Sequence, residues 1–176
     1  MKTRIATPSD ADDIRRIHLS AFSDDERELV SKLVVDLLLE EALPPVFSLF
    51  CEIDGAVVGH IAFSPVMTND TRKCLGYILA PLAVSPDFQN RGVGSLLVRN
   101  GVKVLPEPGT RVILVYGDPR YYGRFGFRKE EGVPYTPPYE LTFPEGWLGL
   151  VPGDFDERPT SVEISCVTSL CHPNLW

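Results

Sequence analysis

Two short groups of residues have types and spacings suited to chemistry. The first is Gln89-x-x-Gly92-x-Gly94, inside Ser85-Pro-Asp-Phe-Gln-Asn-Arg-Gly-Val-Gly-Ser95. Two glycines let a backbone turn sharply with its N–H groups aimed at one point. If a helix starts there, its unpaired N–H groups and its dipole make a site for an anion. The second group is Tyr121-Tyr-Gly-Arg-Phe-Gly-Phe127, whose phenols can hold or give a proton. Taken alone, two glycines are better explained by a tight strand-to-helix turn. The third glycine of G-x-G-x-x-G is missing, and so is the Gly-Lys-Ser/Thr ending of a triphosphate loop.

The elements around these groups follow from hydrophobic pattern. Leu75 to Val84 is an apolar run with Tyr77, Ile78 and Val84, the pattern of a strand buried on both faces. Pro81 cannot donate to a ladder, so it predicts a bulge or a pairing that stops midway. After the glycines, Val93, Leu96, Leu97, Gly101 and Val104 recur on one helical face. Upstream, Arg4-Ile-Ala predicts a short strand. Ser9 predicts a helix cap, followed by Ile14, Ile17, His18 and Ala21 along one face. A second helix is expected from about Asp25 until Leu43-Pro-Pro45 stops it. Phe47–Ile53, Asp54-Gly55 and Ala56–Phe63 read as a hairpin with a tight primed turn. Downstream, Glu107-Pro-Gly109 reads as a turn and Arg111–Tyr116 as a β-branched strand. Asp118-Pro119 reads as an N-cap with proline in the first helical position, and Gly126 as the helix end. The remainder holds a proline-rich stretch, Val133–Tyr139, and two strand candidates, Trp147–Val151 and Val162–Leu170.

Gln89-x-x-Gly92-x-Gly94 directly after Leu82-Ala-Val-Ser-Pro-Asp87 resembles the acyl-CoA loop of the GCN5-related N-acetyltransferase (GNAT) superfamily. Tyr121-Tyr122-Gly-Arg-Phe-Gly126-Phe127 resembles that family's aromatic-Tyr-x-x-x-Gly-Phe segment. The two motifs in this order are strong where either alone is modest, and the order of elements matches from about residue 4 to 127. The resemblance implies an α/β fold with a mixed, mostly antiparallel central sheet flanked by helices and a splayed central strand. A single domain over 1–176 is expected, with 128–176 adding the last strands and loops.

The activity implied is direct transfer of an acetyl group from acetyl-CoA to a primary amine of a small molecule or protein, in a ternary complex. Backbone N–H groups of Asn90, Arg91, Gly92, Val93, Gly94 and Ser95 would take the pyrophosphate, beside Gln89. The pantetheine arm would add like a short strand along Leu82, Ala83 and Val84. Tyr122 would protonate the leaving thiolate. The strand from Leu79 to Val84 offers no carboxylate base. An ordered water or a residue of Asp24–Glu28 is left for that role, and a non-catalytic acyl-CoA-binding domain is the competing reading.

Composition bounds the rest. A chain of 176 residues with 44% hydrophobic content and 23% charge fits one globular core. A net charge of −7 argues against nucleic acid or an anionic membrane surface as partner. With no membrane-length apolar run, the expected setting is the cytoplasm. Cys51, Cys74, Cys166 and Cys171 form no C-x-x-C pair, which predicts buried, reduced thiols and no metal. His18 and His60 are expected as satisfied core or rim residues, Glu52 as facing solvent, and Cys51 as opposite Val58 on the face that carries His60. A homodimer is left open.

Overall fold

Residues 1–107, 109–153 and 159–176 of the computed structural model are described here. In chain order the strands are β1 (Lys2–Ile5), β2 (Phe47–Ile53), β3 (Ala56–Thr68), β4 (Cys74–Val84), β5 (Val112–Tyr116), β6 (Tyr135–Thr136), β7 (Trp147–Leu150) and β8 (Val162–Ser165). The helices are α1 (Ala11–Ala21), α2 (Arg27–Leu39), α3 (Val93–Val104), α4 (Pro119–Tyr122) and α5 (Lys129–Gly132). The sheet runs β1-β2-β3-β4-β5-β7, with β8 pairing β3 and β6. Its pairings are mostly antiparallel, with β4–β5 and β6–β8 parallel. The mixed, helix-flanked sheet expected from the sequence is therefore present. The turn expected at Glu107–Gly109 includes residue 108, outside the described residues.

The chain packs as two units, and strands β3 and β4 each pass from one to the other. The first holds Met1–Glu41, Pro45–Phe63 and Ala80–Leu105. Its hairpin turns on Asp54 and Gly55, both at positive φ (50° and 81°), as a primed turn requires. The α1 and α2 side of its sheet is filled by Ile14, Ile17, Val30, Val34, Phe50 and Ala83. The α3 side depends on close approach. A Cβ on Gly59 would stand 2.8 Å from Val93 Cγ1, and one on Gly101 would stand 2.2 Å from Phe63 Cε2.

Three local expectations change here. The first helix is preceded by a 3-10 turn, Pro8–Asp10, in which Asp10 accepts from Thr7 N at 2.8 Å and Thr7 Oγ1 at 2.9 Å. Glu52 is half-buried and accepts from Arg4 Nε at 2.6 Å, while Arg4 also clamps Asp10. The Arg4 guanidinium, donating to both Asp10 oxygens at 2.8 Å, holds that carboxyl far below the usual carboxylate range. Cys51 lies opposite Gly59 because the hairpin carries a bulge at Cys51/Glu52. His60 pairs with Phe50, so Cys51 and His60 point to opposite faces and no thiol–imidazole pair forms.

The second unit holds Ala42–Pro44, Ser64–Leu79 and Pro106–Trp176. Its parallel ladder runs from Gly76↔Val112 to Leu79↔Val115, and among the described residues no pair carries it past Pro81. The interruption expected from that proline is thus a ladder that ends just before it. Strand β7 pairs with β5, and the Trp147 indole donates to the carbonyls of Gly132 (3.1 Å) and Tyr135 (2.8 Å). The strand expected over Val162–Leu170 ends at Ser165, and Thr168–Leu170 forms a 3-10 turn. No helix among the described residues is long and apolar enough to cross a membrane.

Candidate active site

In the first unit, the end of β4 leads into a 3-10 turn, Pro86–Phe88, then an exposed segment and α3. The β4 end is tied to the loop. Gln89 Nε2 donates to the Val84 carbonyl at 3.0 Å, and Ser85 N donates to Val58 O at 2.9 Å. Gln89 therefore braces the loop against the strand, a contact that its spacing from the glycines does not reveal. Leu82 and Val84 are half-buried, while Ala83 is packed into the α1–α2 core.

The loop makes its turn through two residues at positive φ, Asn90 (58°) and Gly92 (83°). Asparagine tolerates the left-handed region better than most side chains, which is the signal in the sequence for the first of these. Nothing lies within 4 Å of where a Gly92 Cβ would stand, so conformation is what requires glycine there. Gly92 is the N-cap of α3, and Leu96 N is the donor that bonds back to its carbonyl, at 2.9 Å. By helix geometry the N–H groups of Val93, Gly94 and Ser95 have no intrahelical acceptor. They share one helix end with its partial positive charge, and Gln89 through Gly92 leave it open to solvent. Arg91 adds a full charge there, its guanidinium 5.4 Å from the Phe88 ring centroid. All ten residues expected at a cofactor site, 82–84 and 89–95, thus lie in this one unit.

Tyr122 lies in the second unit, in the last turn of α4. Asp118 caps that helix, accepting from Arg120 N at 2.8 Å, as Asp118-Pro119 foretold. The Tyr122 ring meets Tyr121 edge-on at 5.0 Å and Phe127 at 5.8 Å. A Cβ on Gly117 would stand 2.5 Å from Tyr122 Cε2, so this glycine makes the seat of the ring. Burial first, then the neighbouring Tyr121, pushes the Tyr122 phenol well above its ordinary value, so the hydroxyl keeps its proton at neutral pH.

The carboxylates considered as bases are exposed, and two are in ion pairs, Asp24 with Arg27 at 2.8 Å and Glu28 with Arg15 at 3.9 Å. Among the described residues, no group of three His, Cys, Asp or Glu side chains is placed to hold a metal ion.

The sequence pattern of the acetyltransferase (GNAT) family matches residues 11–127. An uncharacterised N-acetyltransferase of Escherichia coli K12, YjhQ, is 37% identical over 139 residues, 78% of this chain and 75% of that protein. A second from the same strain, YhbS, is 35% identical over 129 residues, 72% and 73% of the two chains. Among solved structures, a GNAT family acetyltransferase from Brucella melitensis in complex with acetyl-CoA matches with a TM-score of 0.72, 30% identity and 96% of each chain. E. coli YhbS in complex with CoA matches with a TM-score of 0.77 and 27% identity, over 92% of this chain and 88% of that one.

Proposed function

The chain belongs to the GNAT acetyltransferase family, and on that premise we propose that it moves an acetyl group from acetyl-CoA to a primary amine, of a small molecule or a protein, by direct transfer in a ternary complex. The observation that carries this reading is the start of α3: three N–H groups without helical acceptors, behind a loop bent by Asn90 and Gly92 and flanked by Arg91. That is a site for a diphosphate, and two relatives of known structure bind acetyl-CoA or CoA. In this assignment Asn90 through Ser95 hold the pyrophosphate. Leu82, Ala83 and Val84 offer backbone groups to the pantetheine amides, and Gln89 keeps strand and loop in register.

Tyr122 takes the role of proton donor to the departing thiolate. A phenol is neutral at pH 7 and so has a proton to give, which is what this role requires. The amine loses its proton to water or to a carboxylate of Asp24–Glu28. We assign residues 1–176 to one N-acetyltransferase-like domain acting in the cytoplasm. A net charge of −7 supports partners other than nucleic acid.

The test is calorimetry with acetyl-CoA, followed by thiol release against a panel of amines. Saturable binding with amine-dependent CoA release is expected. Binding without release from any amine would favour a cofactor-sensing domain, and no binding would overturn the assignment.

A further inference from the structure

Away from the loop and Tyr122, the second unit brings two thiols together. Cys166 follows β8 directly and is half-buried, whereas Cys171 is exposed, against the sequence expectation of buried thiols, and both are free. Between them the chain makes one 3-10 turn, in which Leu170 N donates to Val167 O at 3.0 Å and Cys171 N to Thr168 O at 2.9 Å. That turn folds Cys171 back over the strand end. Its sulfur lies 3.5 Å from the Val167 carbonyl oxygen and 4.0 Å from that of Cys166. A disulfide asks for Cα atoms within about 7 Å, and the 4.0 Å approach of the Cys171 sulfur to the Cys166 carbonyl brings one thiol onto the backbone of the other residue.

We infer that Cys166 and Cys171 form a peroxide-responsive thiol pair, closing to an intrachain disulfide across the Thr168–Leu170 turn. The oxidant is a hydroperoxide. The exposed Cys171 thiolate attacks its O–O bond, forming Cys171 sulfenic acid and releasing water or an alcohol. The Cys166 thiolate then attacks the sulfenic sulfur, the S–S bond forms, and the hydroxide that leaves becomes water. Two thiols lose two electrons and two protons, and the peroxide is reduced.

The order of the steps follows from the surroundings. Burial pushes the Cys166 thiol up to about 12, and the neighbouring Cys171 adds to the shift. Cys166 is therefore a poor first nucleophile. Once Cys171 is a neutral sulfenic acid its charge no longer opposes ionisation of Cys166, although burial still does. Resolution is then the slow step, and it should quicken about tenfold per pH unit while the thiolate fraction rises. The other two cysteines serve as internal controls, Cys51 being fully buried and Cys74 half-buried.

The 176-residue chain is treated with hydrogen peroxide, and its thiols are counted after denaturation. The wild type should go from four thiols to two, as a monomer, with one peptide spanning 166–171 lighter by two hydrogens. Cys171→Ser should keep its thiols under the same exposure. Cys166→Ser should stop at Cys171 sulfenic acid, trapped by dimedone. Circular dichroism of both serine variants confirms that they are folded. The pair is overturned if Cys171 proceeds to sulfinic acid while Cys166 stays reduced, if the product is a disulfide-linked dimer, or if closure is no faster at pH 9 than at pH 7.

Discussion

His18 Nε2 and His60 Nδ1 share a hydrogen bond of 2.9 Å at the junction of α1 with the sheet, and both rings are fully buried. His60 Nε2 meets Ser48 Oγ at 2.6 Å, so both nitrogens of His60 are engaged, whereas His18 Nδ1 has no partner among the described residues. The core histidines expected from the sequence are there, but one of them is incompletely satisfied. A proton added to either ring puts a charge where no carboxylate is hydrogen-bonded to receive it.

That chain predicts an acid-sensitive fold. Burial lowers His60 to about 3, and burial together with His60 lowers His18 well below its usual value. An unfolded histidine near 6.5 binds protons that the folded one refuses, so stability is intact above pH 6.5 and is lost as pH falls below it. His60 alone should cost about 2 kcal/mol between pH 7 and pH 5. Asp10 acts in the same direction but only at much lower pH, since its folded pKa is depressed from the carboxylate range. Urea unfolding at pH 7, 6 and 5 checks this, and a midpoint that does not move across that window would refute it.

Gly92→Val should separate binding from folding. At φ 83° a β-branched residue is strained by about 1–2 kcal/mol, but no protein atom lies within 4 Å of the new Cβ. The variant should stay folded with a modestly lower melting temperature and lose acetyl-CoA affinity by at least about tenfold, because the N–H groups turn away from their common point. Calorimetry on the folded variant decides, and unchanged affinity would remove the loop from the cofactor site.

Tyr122→Phe keeps the ring and its packing on Tyr121 and Phe127 while removing the proton. Acetyl-CoA affinity should hardly change, and kcat should fall by about 10²-fold, the scale of a lost general acid. A thiolate leaves more readily unassisted as pH rises, so the ratio of parent to variant kcat should shrink toward alkaline pH. Equal kcat, with chemistry rate-limiting, would make Tyr122 a packing residue.

Gly117→Ala tests the seat of that ring. The added methyl would stand 2.5 Å from Tyr122 Cε2, so the ring must shift. If displacement of the hydroxyl is what lowers kcat, the double variant Gly117→Ala/Tyr122→Phe should be no slower than Tyr122→Phe alone. Additive losses in that cycle would show that Gly117 acts through something other than the phenol.

What could be read in advance was local. Asp54-Gly55 announced its turn, Asp118-Pro119 its cap, and the apolar run before Ser85 its strand, because each depends on neighbours within a few positions. What escaped was contact across the chain. Its place just before the hairpin turn left Glu52 facing water, but Arg4, 48 positions away, draws it into an ion pair. The bulge at Cys51/Glu52 has no local mark, and it moved Cys51 opposite Gly59. In the candidate site, the glycine spacing located the loop but not the grip of Gln89 on Val84 or the place that Gly117 leaves for Tyr122.

The two glycine contacts under α3 have a further meaning for recognition. Gly59 sits against the first turn of that helix and Gly101 meets Phe63 near its other end, so the helix is keyed to the sheet at both ends and cannot roll or slide without a backbone clash. Its leading N–H groups, proposed above to take a diphosphate, are thus fixed by packing on the sheet together with the brace of Gln89 on Val84. An arriving diphosphate then gives up its own freedom but need not also order the protein, and such preorganisation raises affinity without adding a single contact.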